Sequence, residues 1–322
     1  MSSTKQERIL EIFFRGLRGE DLSIRGLAAE YGLSPKSISR SFNDLKAFLA
    51  DHRELVGNTE LQYSYKDKCY RLCMDEFLSS KELFSMVEVL IGARAFSKED
   101  LLRITGKLKQ FTTPENRIKL NDLIHKELYQ YPEIKHDCDS VVDTMWQLIL
   151  YIWEKREITL QYYRTDRTYV EHRLRPVSLM FSDYYFYLIA FGTKYNDGKA
   201  LHFRVDRIKH ITKHSKKFTE ADVPSFDEGL LRRQSLFMRY GELQKIKFEY
   251  KGESLQAVMD KIPTAKVVER TKDHYVIEAE VYGDGITMWL LSHGSTVKVL
   301  EPKGLVDKIK TQLEQTLAQY TD

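Results

Sequence analysis

The apolar periodicity of this chain changes character near residue 155. From Lys5 to Trp153 apolar residues recur at helical spacing, broken by a single alternating stretch around Lys66-Asp67-Lys68. From Arg156 onward come five short segments that alternate with period two between tight turns. The last hundred or so residues then mix both periods: strand, helix, hairpin, helix, strand, helix. No single layer architecture accommodates three such regimes, so the expected class is a multidomain α+β chain. A length of 322 residues agrees, giving two or three domains with ample core. The expected boundaries are 1–75, 76–140, 141–224 and 225–322.

The first regime has internal punctuation. Ile9, Leu10, Ile12, Phe13 and Leu17 line one helix, and Gly19 stops it. In "LSIRGLAAEYGLSPKSISRSFNDLKAFL", Ser23 caps a short helix and Tyr31-Gly32-Leu33 makes a turn. Ser34 then caps a second helix whose first residue is Pro35, where a missing N–H does no harm. Ile38, Phe42, Leu45 and Leu49 form its apolar stripe, leaving Lys36, Ser37, Arg40, Ser41 and Asn43 for the other face. Small hydrogen-bonding and cationic groups on the second helix of such a pair point to a helix-turn-helix rather than an ordinary helical pair. "LQYSYKDKCYRL" follows as a hairpin, which makes the unit a winged helix. Lys36, Ser37, Arg40 and Ser41 are the candidate groove or phosphate contacts on double-stranded DNA, and Lys66 and Lys68 the flanking ones.

Three capped amphipathic helices then run from Ser79 to about Leu128, opened by Ser79 or Ser80, by Ser97 and by Thr113-Pro114. They form a helical linker whose apolar faces either position domains or build a dimer interface. A further apolar helix, Val141 to Trp153, leads into the centre.

Charge matters in the centre. The net charge of +3 is small, but residues 156–218 hold thirteen Lys or Arg against six Asp or Glu, so the remainder is net negative by four. The five segments are "EITLQYYR", "TYVEHRLRPVSLMF", "YYFYLIAF", "ALHFRV" and "RIKHITKH", the third and fourth joined through Asn196-Asp197-Gly198. Five short strands leave exposed edges unless they close, so a small barrel is expected. Guanidinium groups bind phosphate with fork geometry and neighbouring rings stack bases. Arg204 and Arg207 are therefore the leading anion contacts, with Arg175 and Tyr187 in support and Tyr163 and His202 behind them. Strand geometry raises one difficulty: Arg204 and Asp206 share a face while Arg207 points away, unless the chain bends near Asp206. His202, His210 and His214 meet no carboxylate or cysteine cluster in the sequence, so no metal is expected.

"RLRPVSL", "FYLIAF", "HFRVDRI" and the closing "SKKF" resemble the WYL domain, with Phe186-Tyr187-Leu188 where that family has Trp-Tyr-Leu. The order of segments over nearly the whole chain is similar to that of bacterial WYL transcriptional regulators. The resemblance implies an SH3-like or Sm-like barrel that senses a nucleotide or nucleic acid. The final regime, from "QKIKFEYKG" to "GLVDKIKTQLEQTLAQY", suggests a ferredoxin-like α+β sandwich preceded by a linking helix from Phe226 to Tyr240. "MWLLSHGSTVKVLEP" within it is similar to the C-terminal WCX extension of the family, which is expected to contact the barrel or help form a homodimer.

These readings converge on a ligand-responsive, DNA-binding regulator. No phosphate-binding glycine loop, paired metal-spaced carboxylates or serine elbow supports an enzyme, and no cofactor is implied. A nucleic-acid-processing or defence-associated accessory protein is the alternative, and a protein-binding scaffold a weaker one. A cytoplasmic location is expected. The start "MSSTKQERIL" lacks a signal-peptide core, nothing approaches the roughly 18 apolar residues of a membrane span, and the three cysteines give no disulfide framework.

Overall fold

In the computed structural model, the fold is described for residues 4–73, 78–193, 200–224, 227–235, 238 and 241–320. The Asn196-Asp197-Gly198 turn and both ends of the expected linking helix, Phe226 and Tyr240, lie outside these residues. The chain divides into two compact units, Met1–Ile134 and Lys135–Asp322.

The first unit opens with α1 (Lys5–Leu17), α2 (Ile24–Tyr31) and α3 (Pro35–Asp51), followed by the short α4 (Arg53–Val56) and a hairpin of β1 (Glu60–Ser64) and β2 (Cys69–Cys73). Gly32 ends α2 at φ 64°, a left-handed conformation that costs glycine nothing. Two residues later Ser34 accepts from the Ser37 N–H at 3.2 Å and starts α3. Ile12, Leu27, Ile38, Phe42, Leu45 and Leu61 form one buried cluster. The backbone of Leu22 exchanges hydrogen bonds of 2.8 and 2.9 Å with Tyr70, which ties the α1–α2 connection to the hairpin. α5 (Ser80–Ala93), α6 (Lys98–Leu108) and α7 (Pro114–Tyr129) follow, capped by Ser79, Ser97 and Thr113. Their buried residues, Leu83, Val87 and Ile91, then Leu101, then Leu120, Ile124 and Leu128, repeat at the three-to-four spacing of an amphipathic face.

The second unit holds two sheets. α8 (Val141–Trp153) precedes β3 (Arg156–Tyr163), β4 (Tyr169–Ser182), β5 (Tyr185–Gly192), β6 (Leu201–Arg204) and β7 (Ile208–Lys217), with a 3-10 turn over Val205–Arg207. The strand order is β6-β5-β4-β3-β7. The inward face, Ile158, Leu160, Leu174, Leu188 and Phe203, packs with Val141 and Leu148 of α8.

The expected barrel does not close. Among the described residues β6 and β7 are the two edges of one sheet. The apolar face that closure would hide is covered by α8 instead, and four-residue β6 gives way to the 3-10 turn before the chain crosses to β7. The outward face of β4 and β5 is apolar in its middle, where Met180, Ile189 and Phe191 pack with Leu231 of α9 (Glu228–Gln234). α9 is what the described residues contain of the linking helix expected from Phe226 to Tyr240.

The second sheet contains β8 (Leu243–Tyr250), β9 (Lys266–Arg270), β10 (Tyr275–Tyr282) and β11 (Val297–Glu301), in the antiparallel order β11-β8-β10-β9. This order interleaves two βαβ units, as in ferredoxin-like sandwiches. α10 (Leu255–Lys261), α11 (Gly285–Ser292) and α12 (Lys303–Ala318) contribute Val258, Ile286, Leu290 and Leu305 to a core with Phe248 and Ile277. Lys247–Glu278 at 3.0 Å and Lys245–Glu280 at 3.5 Å pair across β8 and β10.

Candidate ligand and nucleic-acid sites

In the first unit α3 presents Lys36, Arg40 and Asn43 to solvent. Ser37 is half-buried, with its hydroxyl 3.0 Å from that of Ser34 at the helix start. Ser41 departs from the expected outer face: it is 1% exposed, accepts from Arg8 Nε at 3.1 Å and donates to the Ser37 carbonyl at 3.3 Å. Its position, three residues after Ile38 and next to Phe42, puts it on the side α1 packs against, so it fixes α3 on α1 and is removed from the contact set. Lys66 and Lys68 stand exposed at the hairpin tip. Asp67 between them accepts from the Ser64 hydroxyl at 2.9 Å and pairs with Arg71 at 3.0 Å, which orders that turn.

The outward face of the five-stranded sheet carries most of the ligand candidates. Tyr187 on β5 lies directly across from Arg204 on β6, and Ile189 across from His202. Arg204 gives Nε and Nη2 to the two Asp206 oxygens at 3.0 and 2.7 Å, and its guanidinium carbon sits 3.3 Å from the Tyr185 ring centroid. Asp206 is buried, so the pair is a neutral fork laid on a ring. The chain does bend at Asp206, through the 3-10 turn, and Arg207 donates to Thr165 Oγ1 at 3.0 Å. The two guanidinium groups thus take different partners. Burial pushes the Tyr187 phenol up to about 12 and the His202 imidazole down to about 4, and both ring nitrogens of His202 are buried without a hydrogen-bond partner. Tyr163 stacks edge-on against Tyr169, its cross-strand neighbour.

Arg175 belongs to another group on the same sheet, which sequence reasoning missed. Glu157 on β3 is 1% exposed and meets three cations: Arg173 Nη2 at 3.0 Å, Lys216 Nζ at 3.1 Å and Arg175 Nε at 3.4 Å. Arg175 also donates to the Asp222 carbonyl at 2.8 Å, which pins the segment after β7. Burial pushes the Glu157 carboxyl up, and the hydrogen bonds and charges of Lys216 and Arg173 outweigh it, holding the group below the usual carboxylate range. Strand register explains the convergence. Arg156 pairs with Lys217 and Ile158 with Lys213, so Glu157 alone faces three residues of β7, and this bulge turns both His214 and Lys216 toward β3. His214 Nε2 lies 2.8 Å from Thr159 Oγ1, and Thr159 is directly opposite Arg173. The sequence held half the signal, in the alternation of Glu157, Thr159 and Gln161; the bulge that recruits Lys216 left none.

Among the described residues no group of three His, Cys, Asp or Glu is placed to hold a metal ion, and no helix is long and apolar enough to cross a membrane.

A capped helix that exposes Lys36 and Arg40, and a cation-rich sheet backed by a helix and followed by an interleaved α+β sandwich, define a multidomain α+β chain. Family comparison gives the domains their names: the WYL domain model matches residues 143–213 and the WCX domain model residues 243–317. The chain carries both, a pairing that fits a WYL regulator. No curated protein matches it. Among solved structures it is similar to the proteasome accessory factor B/C of Arthrobacter aurescens, with 17% identity and a TM-score of 0.33 over 100% of this chain and 49% of that one. It is also similar to a CRISPR Cas-related protein, with 14% identity and a TM-score of 0.40 over 89% of this chain and 74% of that one. The chain therefore spans about half the length of the accessory factor.

Proposed function

We propose that this protein is a ligand-responsive transcriptional regulator rather than an enzyme, binding duplex DNA through α3 and the β1–β2 hairpin and an anionic ligand, a nucleotide or nucleic acid, through its WYL domain. The observation that carries the reading is the WYL and WCX pair in a chain whose first unit exposes Lys36 and Arg40 on a capped helix beside a hairpin tipped by Lys66 and Lys68. A homodimer would set two such helices on half-sites about one helical turn apart. Ligand acts by binding two conformations with different affinity.

The test is binding of a promoter-derived duplex, followed by fluorescence anisotropy. Arg40→Ala removes an exposed cation and should weaken binding about tenfold, within the roughly 1–3 kcal/mol expected of a lost groove or phosphate contact. Unchanged affinity in Arg40→Ala and Lys36→Ala together would rule out α3 as the reading helix.

A further inference from the structure

We propose that the anion site of the WYL sheet is the cluster on β3, β4 and β7, where Arg173 and Lys216 flank the buried carboxylate of Glu157, and that its ligand class is the phosphate group. The inference rests on the regulator reading and sharpens it by moving the site away from Arg204.

Charge accounting separates the two places. Arg204 meets Asp206 one to one and both fork nitrogens that face it are used, so an incoming phosphate must first displace an internal carboxylate. Around Glu157 three cations meet two carboxylates, Glu157 itself and Asp222 at 3.9 Å from Arg175 Nη2, a formal surplus of one positive charge. Holding like charges together is unfavourable unless a counter-charge compensates. Glu157 supplies one from beneath and Asp222 answers Arg175, so Arg173 and Lys216 share a single carboxylate. Above it, the Arg173 and Lys216 side chains keep 43% and 57% of their surface, so the uncompensated charge is at the surface where a ligand reaches it. Polar groups stand beside them: the Thr159 hydroxyl and the His214 ring, bonded to each other across β3 and β7. A tetrahedral anion with several acceptor oxygens suits a guanidinium, an ammonium and a hydroxyl converging from three adjacent strands. Glu157 is then the internal counter-charge beneath the two cations, and a bound anion takes over part of that role.

The source of the phosphate is either a free polyphosphate, as in a nucleotide, or the backbone of a single strand, and two probes distinguish them. Full-length protein is titrated with inorganic pyrophosphate by calorimetry, and with a fluorescent twelve-nucleotide single-stranded DNA by anisotropy, both at fixed ionic strength. Saturable binding of either probe is expected, weakened about tenfold or more by Lys216→Ala and by Arg173→Ala, with melting curves confirming the fold. Lys245→Ala, a surface cation on β8, should leave affinity unchanged. Glu157→Gln should lower the melting temperature without ligand, yet bind the probe at least as tightly and recover more of its melting temperature on saturation than wild type does. Binding of pyrophosphate alone identifies a nucleotide-like ligand, and a strand bound much more tightly identifies a phosphodiester chain. The proposal is overturned if neither probe binds, or if both alanine variants are folded and bind as wild type does. Duplex binding by the same preparation separates the failures. If duplex binds and neither probe does, only this site falls; if duplex does not bind either, the regulator reading falls with it.

Discussion

At the scale of single residues, the outward face of the WYL sheet is decided by which cations already own a carboxylate. Sequence alternation placed Arg204 and Asp206 on one side of the chain, but it carried no information on side-chain torsions, and those set the bidentate fork at 3.0 and 2.7 Å. Asp206→Asn leaves the partly buried Arg204 charge without its counterion, and should cost about 3 kcal/mol of unfolding free energy in urea titrations. His202 makes a second residue-scale prediction. Its imidazole is pushed down to about 4 by burial, against about 6.5 in an unfolded chain. Between those values the unfolded state binds a proton that the folded state refuses, so stability falls as pH drops from about 6.5 to 4, then levels off. The total is about 3 kcal/mol, at up to about 1.4 kcal/mol per pH unit. His202→Leu should flatten that part of the pH–stability profile, measured as the urea midpoint at several pH values; an unchanged slope would place the titration elsewhere.

Elements were the most legible level, because their signals are local. Ser34 with Pro35, Ser97, and Thr113 with Pro114 announced helix starts that the structure uses, each through a side-chain oxygen accepting a backbone N–H. Less legible were features set by a neighbouring strand: the bulge opposite Glu157, the irregular register at Pro176 to Ser178, and the 3-10 turn that ends β6. One close approach of elements tests the hairpin's attachment. A Cβ on Gly16 of α1 would lie 2.9 Å from Leu72 Cβ on β2. Alanine gains about 1 kcal/mol of helix propensity, but Leu72 Cβ is fixed to its backbone, and relieving the overlap costs about 1–3 kcal/mol. The second effect should win: Gly16→Ala is expected to lower stability by up to about 2 kcal/mol and to weaken duplex binding as the hairpin shifts, read by chemical denaturation and anisotropy.

For the whole molecule, each of the two units has a hydrophobic cluster of its own, so each should fold alone. A fragment of residues 1–134 is expected to melt cooperatively by circular dichroism and to bind duplex DNA without responding to pyrophosphate. A broad, non-cooperative melt would show that the boundary is not a folding boundary. Duplex affinity of the full chain should fall steeply with salt, because each neutralised phosphate releases counterions, and Arg40→Ala should reduce the slope of log K against log salt by about one.

The sequence by itself determined the order of helical and strand regimes, the caps and turns that delimit them, the resemblance to the WYL domain and the concentration of positive charge between Arg156 and Phe218. These are legible because periodicity, capping and composition act over a few neighbouring residues. Tertiary structure alone decided that the five strands stop short of a barrel, that Ser41 turns inward to Arg8, and that Arg204 has a carboxylate to itself while Arg173 and Lys216 share one. Each of those outcomes depends on strand pairing between residues far apart in the chain or on side-chain packing, where one bulge changes which charges meet.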